Sequence, residues 1–422
     1  MEKVRLGGFG TLMKIAFRNI FRNKRRTAFC LLAVGLAVFF IAFYGSMLAG
    51  MLGAMNEAVQ IFETGHVRAV SRAFEADAEA MPVQFPVGEG RPLPELEAAV
   101  AAIPGVAAVF PRIKTYATLQ ESVLKHATLW GLRMEGESKA HHFNLTDRGD
   151  GLLEGRYPAP GANECAVGRI FADKTGLRVG DRIPLKTVSS QFSDRMWAPK
   201  VVGVFFFDYT AVDRDAVIVD FDRLQRLLTM GDAAQQLVVY ADEAALSAPI
   251  ARRMEALLGT DNIAEEWQDN YWVALMNGLM PVYYVVYLVF LVVASFLIVN
   301  TVVMIIHERI KEIGMMGSLG MSRREIVTVF FFESVFLAVL GATAGMLAGG
   351  VLTAALQNTP INLMGLMGDT FAAMPMGNAL YLTFSPAQLA QSWLLGVGIA
   401  TLFTLIPSLK SAFVEPVEAL RR

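Results

Sequence analysis

The sequence predicts an α-helical membrane protein with four transmembrane helices plus a mixed α/β periplasmic domain inserted between helices 1 and 2. Three observations carry this. The 422-residue chain is 54% hydrophobic and only 18% charged. Its apolar residues gather in a few long windows rather than spreading through one large core. Its basic residues outside the central region cluster in three short stretches, which orients the windows in a bilayer.

The windows come first. Residues 27–55 hold no acidic or basic side chain, and neither do 271–306, 334–368 or 370–409. A helix crosses the hydrocarbon core in about 20 residues, so the last two windows hold more than their spans. Pro360, Pro375 and Pro386 mark where those helices stop. The spans centre on 28–50, 283–306, 327–350 and 389–408. The first is not read as a cleaved leader, because its apolar run is too long and no small-residue cleavage site closes it.

Charge sets the sides. Residues 57–269 carry 22 Lys and Arg against 31 Asp and Glu. The remaining 15 basic residues all lie within 3–26, 309–324 and 410–422. By the positive-inside rule both termini and the 307–325 loop are cytoplasmic, and 56–270 and 351–388 face outward. The expected plan is a cytoplasmic amphipathic helix at 1–26, transmembrane helices at 27–55, 271–306, 326–350 and 389–409, and a cytoplasmic tail at 410–422.

The outer region reads as mixed α/β. Residues 93–103 are helical in period and stop at Pro104-Gly105. Strands follow at 106–111 and 115–119. A second unit, strand 237–240, helix 243–258 and strand 262–267, closes the domain. The two units make one split subdomain close to the flanking spans. Between them lies a β-rich insertion with strands at 179–185, 201–207 and 216–221, and a polar excursion at 189–199 read as a projecting hairpin. Cys30 and Cys165 fall in a span and in the outer domain, so they are not placed to pair.

Several motifs have more than one reading. Lys14, Arg18 and Arg22 recur at i, i+4 and i+8, so they share one helical face beside apolar residues. That pattern fits a helix lying in the membrane interface on anionic lipids, or a basic flank that only sets topology. Gly341, Gly345 and Gly349 form two overlapping GxxxG steps, read as close helix packing or as ordinary membrane-helix glycine. Glu333 is an ionisable residue inside a span, which marks either function or a structural contact near the interface. His126, His141 and His142 lack further ligands at metal spacing. No nucleophile–base pair, catalytic carboxylate pair or phosphate-binding GxxxxGK[ST] loop occurs, so the chain is not expected to be an enzyme.

Residues 307–326 read HERIKEIGMMGSLGMSRREI, charge alternating with Ile and Met and broken by glycine. This is longer than a helix reversal needs and reads as an ordered element offered to a cytoplasmic partner. With Asn300, Met304, Glu308, Arg309, Glu312, Ile313 and Gly314, then Leu319-Gly320 and Phe332-Glu333-Ser334, it resembles the FtsX-type permease signature shared by MacB, FtsX and LolC/LolE transporters. The closing Pro407, Ala412, Pro416, Ala419, Leu420 and Arg421 are similar to the family's C-terminal pattern. Ile103-Pro104-Gly105-Val106 and Val179-Gly180-Asp181 are similar to its outer domain.

The resemblance implies a type VII ABC transporter permease of the FtsX/MacB kind, nearest the lipoprotein-releasing LolC/LolE branch. It implies a separate cytoplasmic ATPase carrying ATP and Mg, no cofactor bound by this chain, a second permease in a homo- or heterodimer, and a periplasmic carrier or adaptor. Membrane lipids are expected partners and nucleic acid is not. The 307–325 loop would be the coupling element, through Glu308, Arg309, Glu312, Ile313, Gly314, Leu319, Gly320 and Arg323. Only 26 residues precede the first span, so a fused ATPase of the MacB kind is not expected. Three functions remain open: lipoprotein release, MacB-like efflux of periplasmic small molecules or peptides, and FtsX-like signalling to a cell-wall hydrolase. The outer domain is larger than the last of these requires.

Overall fold

Long runs of Leu, Val, Phe and Ala with no charge leave the backbone one way to satisfy its polar groups in a bilayer, which is to form helix. In the computed structural model these runs are the helices Lys24–Ala58, Tyr271–Glu308, Arg323–Leu356 and Pro386–Ser411. Each contains a stretch long and apolar enough to cross a membrane. The structure describes residues 8–22, 24–88, 90–119, 126–146, 149–308, 315, 316, 318, 321–362, 375, 377 and 379–411. They form two compact units. One comprises residues 1–50, 279–360 and 381–422, the other 51–278 and 361–380.

In the membrane unit the third helix begins with a capping box. Ser322 Oγ accepts from the Glu325 backbone N–H while the Glu325 carboxylate accepts from Ser322 N–H at 2.7 Å, which satisfies two of the helix's orphan donors. Further along, this helix lies against the first at backbone distance. A Cβ on Gly345 would overlap the Gly35 carbonyl, and one on Gly341 would stand 2.8 Å from Val34 Cβ. Val34, Val38, Phe330, Ala338, Ala342 and Ala400 close the core. The short helix Phe9–Ile20 packs here through Ala16 and Ile20, with Phe9 edge-on to Phe332 and Phe17 edge-on to Phe336.

The second unit is a mixed sheet. Its strands are β1 (Val67–Ser71), β2 (Val106–Leu119), β3 (His126–Leu132), β4 (Leu152–Gly155), β5 (Glu164–Gly168), β6 (Leu185–Val188), β7 (Asp194–Trp197), β8 (Lys200–Phe205), β9 (Ala216–Asp220), β10 (Gln236–Ala241) and β11 (Asn262–Glu266). The order is β11-β1-β10-β2-β3-β9-β5-β8-β4, with β6 on β2 and β7 on β6. The β3–β9 and β5–β8 pairs are parallel and the others antiparallel. Alternation along the strands sends one set of side chains under the helices Leu93–Ala101, Phe221–Leu227 and Ser247–Leu258, where Leu96, Leu224, Ile250 and Met254 are buried. The other face carries Phe62, Trp130, Phe143, Phe205, Phe207 and Ile218.

Three features differ from the sequence expectation. The strands expected at 106–111 and 115–119 are one strand of 14 residues. It changes partners midway, from β10 up to Arg112 to β3 from Ile113, and Pro111 falls just before that change. Residues 179–184 are a turn and an irregular stretch rather than a strand, joined to β8 through an isolated bridge of Arg182 with Lys200. Gly180 has φ +110°, the Asp181 side chain accepts from Arg178 N–H at 2.8 Å, and regular strand pairing begins at Leu185. The strand β1, which follows the first membrane helix directly, had no sequence reading of its own, yet it lies between β10 and β11.

The excursion at 189–199 belongs to the hairpin β6–β7. Its turn is tied down by Ser190 N–H and Oγ, which donate to the Leu228 and Thr229 carbonyls. Phe192 (79% exposed) and Met196 (66%) remain open to solvent. The segments Ile361–Asn362 and Ala379–Leu380 pair with each other, and Gly377 bridges to Tyr209.

Candidate functional site

A helix ends with four carbonyls that its own amides do not reach, and when that end is buried the protein must supply donors. The first membrane helix meets this problem inside the outer domain. After Ala58 it widens into a π-helical turn, Val59–Thr64, and the chain leaves through Gly65 at φ +64° and ψ −153°, a region open essentially only to glycine. A side chain there would also strike Val238 Cγ1 at 2.5 Å. Of the turn, Val59, Ile61, Phe62 and Thr64 are buried.

The donors come from β2 and β10. Arg112 Nη2 donates to the Ile61 carbonyl at 2.9 Å, and Nη1 donates to the Phe62 carbonyl at 3.3 Å. Lys114 Nζ donates to the Phe62 carbonyl at 2.8 Å. Tyr240 Oη lies 3.1 Å from the Gln60 carbonyl and 3.3 Å from that of Ile61, and accepts from Arg112 Nη2 at 3.1 Å. Residues 112 and 114 share a face of β2 by the two-residue strand period, which brings both cations to one helix end. Cations suit that end because the helix dipole leaves partial negative charge there.

Two buried cations need counter-charges. The Arg112 guanidinium and Glu137 carboxylate, 1% and 0% exposed, meet at 2.7 and 3.1 Å. Lys114 Nζ meets Glu63 Oε2 at 3.0 Å and stands 4.0 Å above the Trp130 ring, a cation–π contact. Burial pulls the Arg112 pKa down, but Glu137 and Tyr240 more than offset it and hold the guanidinium above its ordinary value. Burial raises the Glu137 carboxyl, but Arg112 and His141 leave it below the ordinary carboxylate range. For Lys114 burial prevails over Glu63 and its pKa falls. Phe62 completes the joint, with its ring 5.4 Å from Phe207 and 5.2 Å from Tyr209. The backbone amides of those two residues donate to the buried Asp213 carboxyl at 2.8 and 3.0 Å, whose pKa burial pushes up to about 7.

The second membrane helix enters otherwise. It follows the edge strand β11 through a single 3₁₀ turn, Trp267–Asp269. Trp267 N–H donates to the His66 carbonyl at 3.2 Å, and Asn270 Oδ1 accepts from Trp272 N–H at 3.0 Å. Met55, Val59, Val273 and Met276 form an apolar cluster between the ends of the two helices, flanked by Trp267 and Trp272. Tyr271 is 69% exposed.

The residues singled out in the sequence are distributed as follows. Gly341, Gly345 and Gly349 all face the first membrane helix, Gly349 with its Cβ position 3.1 Å from Ala42 Cβ. Lys14, Arg18 and Arg22 are exposed. Glu333 is buried, and its Oε2 accepts from Asn19 of the N-terminal helix at 3.3 Å. Glu308 ends the second helix and Arg323 opens the third. Arg309, Glu312, Ile313, Gly314, Leu319 and Gly320 lie outside the described residues. Sequence reading missed Arg112, Lys114 and Glu137. The available signal was two cations at i and i+2 within an otherwise strand-like run.

Comparison with known proteins places this arrangement. Residues 27–257, more than half of the chain, match the family model of the MacB-like periplasmic core domain, and residues 284–416 match that of the FtsX-like permease C-terminal region. The lipoprotein-releasing system transmembrane protein LolC of Xylella fastidiosa (strain 9a5c) is 24% identical over 352 residues, covering 79% of this chain and 83% of that protein. The macrolide export ATP-binding/permease protein MacB of Hyphomonas neptunium is 31% identical over 130 residues, covering 31% of this chain and 17% of that one. Among solved structures, the periplasmic region of MacB from Actinobacillus actinomycetemcomitans is matched at 8% identity and TM-score 0.32, over 49% of this chain and 94% of that one. The chain belongs to the family of the MacB-like periplasmic core domain and, with its FtsX-like region, is an ABC transporter permease of the LolC, MacB and FtsX type.

Proposed function

We propose that this permease converts the nucleotide-driven motion of a separate cytoplasmic ATPase into movement of its outer domain, and so releases lipoproteins from the inner membrane to a periplasmic carrier. The observation that carries the reading is the extent of the LolC match. It runs through 79% of this chain, whereas the MacB relative from Hyphomonas is matched over 31%. ATP and Mg belong to the partner ATPase. The segment holding Glu308, Arg309, Glu312, Ile313, Gly314, Leu319, Gly320 and Arg323 is the coupling element that the ATPase grips, and a second permease completes the membrane assembly.

The clustering of basic residues supports cytoplasmic termini. It also supports a membrane-interface role for Lys14, Arg18 and Arg22, which are exposed beside Phe17 and Phe21. The exposed Phe192 and Met196 of the β6–β7 hairpin favour docking of a carrier there. Depleting the protein in its host and separating inner from outer membrane tests the reading. Lipoproteins accumulate in the inner membrane if it holds, and normal sorting after complete depletion sinks it. A second reading, efflux of periplasmic small molecules or peptides with an adaptor, is favoured by the match of residues 27–257 to the MacB-like core. Co-purification of a membrane-fusion adaptor instead of a lipoprotein carrier would establish it.

A further inference from the structure

The domain holds its two membrane helices by forces of different kinds. Hydrogen bonds to fixed backbone carbonyls are directional and weaken steeply with angle. Buried charge-assisted ones resist displacement further, because an unpaired buried charge is costly. At the first helix such bonds reach the Gln60, Ile61 and Phe62 carbonyls from Arg112, Lys114 and Tyr240. The helix then passes without a linker into β1, which is paired on both sides. Apolar contact is non-directional and tolerates sliding. The second helix leaves an edge strand, turns once, and leans on Met55 and Val59 of the first.

We propose that Arg112, Lys114 and Tyr240 are positioning residues that make the first membrane helix the rigid arm of the outer domain, while the second is a compliant tether hinged at Trp267–Asn270. The functional meaning rests on the mechanotransmission reading above. Movement of the first helix turns the domain with it, and movement of the second is absorbed at its hinge.

The stiffness contrast is testable without ATP or an ATPase. Full-length protein in lipid nanodiscs, with Cys30 and Cys165 replaced by alanine, would carry spin labels at Arg253 and either Gly53 or Gly278. All three label sites are exposed. Double electron–electron resonance then reads each helix against the domain. The expected result is a narrow distance distribution for the Gly53 pair and a broad one for the Gly278 pair. Arg112→Met with Glu137→Leu removes both buried charges together and preserves folding better than either change alone. In that variant the first distribution widens toward the second. Tyr240→Phe, which keeps the ring and removes the hydroxyl, widens it by less.

Equal widths in the unaltered protein would overturn the proposal, as would a first distribution that neither variant changes. Lipoprotein sorting in cells carrying these variants separates the two levels. A rigid arm whose loss leaves sorting intact would stand as structure and refute the coupling reading alone.

Discussion

Where the first membrane helix meets the domain, three carbonyls are occupied by donors buried in the sheet. Where the second meets it, a 3₁₀ turn with one backbone bond, Trp267 N–H to the His66 carbonyl, and a patch of Met, Val and Trp make the contact, and an asparagine caps the helix start. Both helices carry long uncharged runs, and the difference arises in the few residues at their domain ends. A helix that ends inside a domain demands cations and hydroxyls, while one that starts beneath an edge strand needs only a cap and something to lean on. The buried Arg112 and Lys114 of the sheet are therefore explained by the helix they receive.

The widest separation between the two joints is expected at the buried ion pair. Arg112→Ala leaves Glu137 buried without its partner and should cost about 3–5 kcal/mol, read as a shift in denaturant midpoint of the full-length protein. The paired change Arg112→Met with Glu137→Leu should cost far less. If the single and paired changes cost the same, the pair is not the organising element. Next comes Gly65→Ala, which meets both the positive φ and the Val238 side chain and should cost about 1–3 kcal/mol. A neutral result would mean that the exit from the π-turn is loose. Asn270→Ala removes the side-chain acceptor from the start of the second helix and should cost about 1 kcal/mol. A loss as large as that of Arg112→Ala would erase the contrast.

The smallest effect sharpens the comparison by pH. Asp213 carries a pKa of about 7 in the folded chain, above the usual aspartate value, because burial disfavours its charge. The folded state therefore holds a proton that the unfolded state has released. The associated stability is complete at acid pH and is lost as pH rises through about 7. The loop holding Phe207 and Tyr209 against Phe62 should weaken over that interval, on the order of 1 kcal/mol between pH 6 and 8. Arg112 and Glu137 have their pKa values moved away from neutrality and should not contribute. Melting curves with and without Asp213→Asn separate the two, and an unchanged slope in that variant would assign the pH response elsewhere.

The membrane helices were legible because a bilayer imposes a one-dimensional rule, about twenty uncharged residues in a row, and the sequence obeys it. The helices Leu93–Ala101 and Ser247–Leu258 and the strands β8 and β9 were legible from period and turn residues. The joint was not. Pro111, Arg112 and Lys114 look like the turn between two short strands, because local pattern carries no knowledge of a helix end more than forty residues earlier in the chain. Glu137 stands in a polar stretch, MEGESKA, that reads as solvent-facing, and only the fold buries it against Arg112. Sequence locates what satisfies a local rule and overlooks residues whose partners are supplied by topology.

The carbonyls at 60–62 fix the azimuth at which the first membrane helix ends in the domain, and Met55 and Val59, buried with Val273 and Met276, fix a second side of the same last turns. Each α-helical residue adds about 1.5 Å and about 100° of rotation. Residues 55–62 are therefore set in phase as well as in length. One residue inserted or deleted between Met55 and Ala58 would swing Met55 away from Val273 and Met276 by more than a quarter turn while the Ile61 and Phe62 carbonyls stay on Arg112, however apolar the newcomer. Seven residues would nearly restore the angle while displacing the contact along the axis by about 10 Å. A turn that tolerates many apolar side chains thus has a tightly constrained residue count.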